Sequence, residues 1–136
     1  MDTRIRDSFA RQAFLQNLGA QITHLEKGCV QIEVPITPQL SQQQGFAHAG
    51  VAFSIGDSAA GYSALTMIDD GFEVVTSEMK IHLLAPAIGT HLRAKGGIIR
   101  AGRKLLVVEA DVYALQADGS ERHIAKLMGT MVPVPL

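Results

Sequence analysis

The sequence predicts an α+β domain in which a curled antiparallel sheet wraps around one central apolar helix. The first observation is the stretch from His48 to Met67, HAGVAFSIGDSAAGYSALTM, which carries a single charge, Asp57. It is rich in Gly, Ala and Ser; glycine and serine are poor or mediocre helix formers, and such small residues suit a helix closely enclosed by a sheet. The second observation is that everything after Asp70 reads as long strands. They are split by Ala101-Gly102-Arg103 and Ala117-Asp118-Gly119, and tight glycine turns between long strands impose antiparallel pairing. The third is the order of elements: a helix, two strands, the long helix, then four strands.

Taken in order, residues 2–17 are amphipathic. Ile5, Phe9, Ala13 and Phe14 lie to one side, and Arg4, Arg6, Asp7 and Arg11 spread around the other. One N-terminal helix is expected there, stopped by Asn17-Leu18-Gly19. Ala20–Leu25 and Cys29–Val34 read as a hairpin turning at Lys27-Gly28, with Val30, Ile32 and Val34 alternating with Gln31 and Glu33. Pro35 and Pro38 end it. A polar loop, Ser41-Gln42-Gln43-Gln44-Gly45, leads to the central helix at about 49–67, and Asp69-Asp70-Gly71 turns the chain out of it.

Strands then fill residues 72–134. In the first, Phe72–Leu84, strict alternation puts Val75, Ser77, Met79, Ile81 and Leu83 on one face and Val74, Thr76, Glu78, Lys80 and His82 on the other. Pro86 and Gly89 break the pattern, and His91–Arg100, Leu105–Leu115 and Arg122–Val132 follow.

Composition narrows the class. A chain of 136 residues, 47% hydrophobic and 18% charged, can bury a real core and is read as a single domain over 1–136. A net charge of −1 gives no argument for nucleic acid or an anionic membrane as partner, and neither is expected. A lone Cys29 permits no internal disulfide and suits a reducing compartment. The N-terminus mixes charges without an uninterrupted apolar core, unlike a signal peptide, and no stretch reads as a membrane span. A cytoplasmic location is expected.

From Val34 to Ile68 no other Asp, Glu, Lys or Arg accompanies Asp57. Burying a lone carboxylate is costly without a partner or a purpose. Desolvation should raise its pKa and make it a better base or nucleophile; the plainer reading is a packing group bonded to a neighbouring amide or hydroxyl. The start of the same helix, near Ala49, presents unpaired amides able to stabilise an oxyanion. Eight residues of helix separate the two, about 12 Å along the axis, so one carbonyl carbon cannot touch both. Either the features are unrelated, or a two-fold dimer with antiparallel helices brings one chain's carboxylate to the other's helix start.

His48-Ala49-Gly50, followed after six residues by Asp57-Ser58-Ala59, resembles the His-Gly-Gly…Asp-x-Ala pattern of hotdog-fold acyl-CoA thioesterases, in particular the phenylacetate-pathway, PaaI-like group. The similarity extends to the polar loop before it, to Thr76-Ser77-Glu78-Met79-Lys80-Ile81…Pro86, and to Arg100-Ala101-Gly102-Arg103-Lys104. The resemblance implies a hotdog fold and hydrolysis of an acyl-CoA to free acid and CoA. It implies a homodimer forming the active site, either alone or paired into a tetramer, and no cofactor beyond the CoA of the substrate. It also implies roles. The Ala49 N–H polarises the thioester carbonyl, and Asp57 of the opposing subunit activates water or attacks the carbonyl. Gln42 holds the water or substrate, and Thr76, with Ser77 as the off-by-one alternative, completes the pocket. His48, Gly50, Ser77, Arg103 and Lys104 belong to the substrate-binding surface, the basic turn facing the CoA phosphates. The chain departs from the pattern at Ala49, where glycine is usual, and at Gln42, where asparagine is usual.

His48 reads chiefly as a structural residue at a helix start. Glu78 is explained by a polar strand face. His24, His82, His91 and His123 show no close ligand spacing, which argues against a metal site. Two rival functions are a non-enzymatic acyl-CoA binder using the same pocket, and a hotdog hydratase or dehydratase in which His48 and Asp57 converge on an enoyl thioester.

Overall fold

The computed structural model describes all 136 residues. Two short helices, α1 (Asp2–Ala10) and α2 (Ala13–Leu18), precede a hairpin of β1 (Gln21–Glu26) and β2 (Cys29–Pro35). A 3-10 turn over Pro38–Leu40 leads to α3 (Ala49–Leu65), and β3 (Phe72–Leu83), β4 (His91–Ala101), β5 (Leu106–Leu115) and β6 (Glu121–Pro135) follow. The six strands form one antiparallel sheet in the order β1-β2-β4-β5-β6-β3. The expected curled sheet around a central helix is what the chain adopts.

The small residues of α3 are small because the sheet closes on them. A side chain at Gly56 would place its first carbon 2.8 Å from the Leu127 Cδ atoms, and one at Gly96 on β4 would run into the Ala59 carbonyl. Ile55, Ala59, Ala60, Ala64 and Leu65 of α3 are sealed against Val108, Ala110 and Leu127 of the sheet. One polar side chain, Ser63, is fully buried among them. Its Oγ donates to the Ala59 carbonyl at 2.7 Å and accepts from the Val30 N–H at 3.0 Å. That satisfies the hydroxyl and stitches α3 to β2, as a buried polar group requires.

Two expectations are corrected. The single helix over 2–17 is two helices, because Gln12 leaves the helical region at φ −81°, ψ 88°. The break lets Ile5 and Phe9 of α1 and Leu15 of α2 all bury. Gly19, with φ 76°, then ends α2 as the glycine signal predicted. The strict alternation along β3 also fails. The pairing register jumps between Thr76 and Glu78, leaving Ser77 as an extra residue. A bulge of this kind reverses which face the following side chains take. Val74 before it and Met79 and Ile81 after it all pack on the core, so Thr76 shares the inner face with Met79 and not with Glu78.

Candidate active site

Asp57 sits in the third turn of α3, half-buried. The β3 bulge aims Thr76 inward, and the Thr76 hydroxyl donates to Asp57 Oδ1 at 2.8 Å. Burial pushes the Asp57 carboxyl above its ordinary range, and the Thr76 hydrogen bond opposes that shift without cancelling it. A cavity of about 410 Å³ opens beside the pair. Its other walls include Tyr62 and Glu73, together with Ser8, Arg11 and Gln12 from the N-terminal segment.

None of those wall residues was legible as part of the site. The Tyr62 hydroxyl accepts from Gln12 Nε2 at 2.8 Å and stands 3.2 Å from Ser8 Oγ, contacts spanning 50 and 54 residues of chain. Arg4 holds α1 in place by donating to the carbonyls of Ile68 and Asp69, at 3.2 and 3.1 Å, and to that of Phe72. The one available signal was Tyr62 itself, the sole aromatic hydroxyl on a helix otherwise built of small and aliphatic residues, Phe53 and Asp57.

The start of α3 forms a second, separate feature. His48 is the N-cap, and its Nδ1 accepts from the Gly50 N–H at 2.8 Å while its carbonyl accepts from the Val51 N–H at 2.9 Å. The Ala49 N–H makes no hydrogen bond within the chain. It is the one donor of the first three left free, and it points from the positive end of the helix. Ala49, His48 and Gln42 line a cavity of about 530 Å³ with mostly apolar walls, including Phe46, Leu84 and Ile124. The Gln42 side chain folds onto Gln44, donating to its Oε1 at 3.1 Å and accepting from its backbone N–H.

The two cavities share no residue. Within one chain, therefore, Gln42 and Ala49 are brought together, and so are Asp57 and Thr76, but the two pairs are apart. Gly50 lends its amide to His48 and offers no free donor. Ser77 is exposed at the bulge. Arg103 and Lys104 are exposed at the tip of the β4–β5 hairpin and form no ion pair within the chain. Glu78 is occupied by the Thr130 hydroxyl at 2.9 Å, which accounts for it as a surface residue.

Residues 44–119, spanning α3 with Asp57 and the strands β3, β4 and β5, match the family model described as the thioesterase superfamily. The chain belongs to the thioesterase superfamily. Its sheet and helix are the hotdog fold, and a thioesterase family protein from Silicibacter pomeroyi is 38% identical, with a TM-score of 0.96 over 99% of this chain and 98% of that one. A Bacillus halodurans protein crystallised with CoA is 26% identical, with a TM-score of 0.79 over 98% of this chain and 84% of that one. The PaaI protein of the Escherichia coli phenylacetic acid degradation operon shares the fold, with a TM-score of 0.82 at 20% identity over 95% and 89% of the two chains. No helix of this thioesterase-superfamily chain is long and apolar enough to cross a membrane.

Proposed function

We propose that the protein hydrolyses acyl-CoA thioesters at a site shared between two copies of the chain. The observation that carries this reading is the split just described: a free Ala49 N–H in one cavity and the Asp57–Thr76 pair in another. With about 12 Å of helix between them, the oxyanion donor of one subunit works with the carboxylate of the second. The sheet supplies a surface on which two copies can meet, because β3, which carries Thr76, is an edge strand. A long edge with unpaired backbone groups invites another strand.

The chemistry then follows from the groups. The thioester oxygen accepts from the Ala49 N–H, at the electropositive end of α3, and negative charge grows there as water attacks the acyl carbon. Asp57 of the second subunit takes the proton from that water. Thr76 occupies Oδ1 and so presents Oδ2 to the water. Collapse of the tetrahedral intermediate breaks the C–S bond; the proton held by Asp57 goes to the departing sulfur, and acid and CoA leave. Direct attack by the carboxylate would form an anhydride instead, which water then opens; water labelled with heavy oxygen in a single turnover distinguishes the two routes.

Coenzyme A as the thiol carrier is supported by the CoA bound to the Bacillus halodurans relative and by the position of the basic turn. Ala101 pairs with Leu106, Leu106 with Met131 and Met131 with Thr76, so the hairpin end lies level with Thr76, about 14 Å across three strand spacings. Arg103 and Lys104 extend from that end, within reach of phosphates at the mouth of a site.

The test is Asp57→Asn, assayed for free thiol release with a panel of acyl-CoA thioesters. Loss of turnover with a folded protein is expected; unchanged turnover overturns the proposal. Crotonyl-CoA in the same panel, followed by its enoyl absorbance, separates hydrolysis from hydration.

A further inference from the structure

We propose that the β1–β2 hairpin carries a site for a divalent transition metal of the zinc class, with His24, Glu26 and Cys29 as ligands. The hairpin register places Glu26 opposite Cys29 and His24 opposite Gln31. Residues two apart on a strand share a face, so these four side chains form the corners of one patch. A bulge selects that face. Ile22 pairs with Ile32 and His24 with Gln31, leaving Thr23 as the extra residue. Ile22 and Leu25 can therefore both turn to the core, while His24 and Glu26 both turn outward.

The donor atoms converge. His24 Nε2 is 3.3 Å from Glu26 Oε1, and the donor atoms of all three residues lie within 4.8 Å of one another. Ligands of a tetrahedral ion with bonds of about 2.0–2.3 Å stand about 3.3–3.8 Å apart, so small rotations of exposed side chains close the site. Imidazole, thiolate and carboxylate together make a set that zinc takes and that magnesium or calcium does not. The Gln31 side-chain oxygen or a water completes four-coordination. The cluster holds a single histidine, so a comparison of the spacing between histidines passes over it.

This proposal is independent of the thioesterase reading. β1 and β3 are opposite ends of the sheet order, so the metal pins a distant edge hairpin and takes no part in hydrolysis.

The experiment is a titration of the reduced, full-length protein with Co2+, followed by displacement with Zn2+. One equivalent is expected, with a thiolate-to-cobalt charge-transfer band and the intense visible bands of a four-coordinate ion. Cys29→Ser removes the charge-transfer band. His24→Ala and Glu26→Gln each weaken affinity at least about tenfold, since even a supporting partner in a metal site is worth that much. Circular dichroism checks that each variant is folded, and Asp57→Asn binds cobalt as the parent does. No charge-transfer band in the parent, or affinity unchanged in His24→Ala and Glu26→Gln, overturns the proposal.

Discussion

Ala49→Pro isolates the oxyanion donor with little else disturbed. Proline lacks the backbone N–H, and the first residue of a helix is where it is best tolerated, because that N–H has no helical partner. His48, which would precede it, already has φ −61° and ψ 141°, the extended conformation that a following proline requires. The Gly50 and Val51 amides keep their bonds to His48. Stability is therefore expected to change little, while loss of one preorganised donor should lower kcat by about 10²–10³-fold.

The same variant tests the shared site. Ala49→Pro retains Asp57, and Asp57→Asn retains the Ala49 N–H, so a heterodimer of the two has one intact centre and one doubly defective centre. After co-refolding at equal amounts, random pairing makes half the dimers mixed, and activity should recover to about a quarter of the parent. Thiol release is the readout, against each variant refolded alone. Recovery no greater than the sum of the two separate variants would refute the two-subunit centre. Wild-type kcat in Ala49→Pro would remove Ala49 as the donor.

Asp57→Asn should be more stable than the parent at neutral pH. Burial raises the carboxyl pKa in the folded state, so ionised Asp57 costs folding free energy above that pKa, and the cost vanishes below the ordinary carboxylate value. Urea midpoints of the two proteins should therefore differ at neutral pH and converge in acid; a difference that grows in acid contradicts the assignment. Thr76→Val removes the hydrogen bond that favours the carboxylate, so the acidic limb of the kcat profile should move to higher pH, and a limb that stays put or moves lower argues against that role. Ser63→Ala leaves the buried Val30 N–H without its acceptor, at a cost of about 1–3 kcal/mol. Equilibrium denaturation measures it, and activity per folded molecule should hold.

The parts of this molecule that were legible in sequence are those where local composition and tertiary demand coincide. α3 could be read from its freedom from charge and its small residues, which only an enclosing sheet explains. The antiparallel sheet could be read from glycine turns. Asp57 stood out because no other charge occurs between Val34 and Ile68 of the sequence. The phase of β3 could not be read, since the bulge at Ser77 depends on pairing with β6 and leaves no mark in a run that alternates on paper. The break at Gln12 was invisible for a similar reason: the Gln12 side chain bonds to a tyrosine fifty residues away. The same long-range contacts hid the walls of the Asp57 cavity.

The strap that Arg4 forms across the α3–β3 connection has an implication for how such a pocket can be retuned. The helix it holds adds Ser8 to the cavity around Asp57, and Arg11 and Gln12 follow directly after it, yet α1 contributes no strand to the sheet and no residue to the charge-free run of α3. Cavity shape and polarity can thus change through the side chains of a short N-terminal segment, while Asp57 and its enclosing sheet stay fixed. Substitutions at Ser8, Arg11 and Gln12 are then a practical handle on the shape of that cavity, with the buried Ile5 and Phe9 left in place.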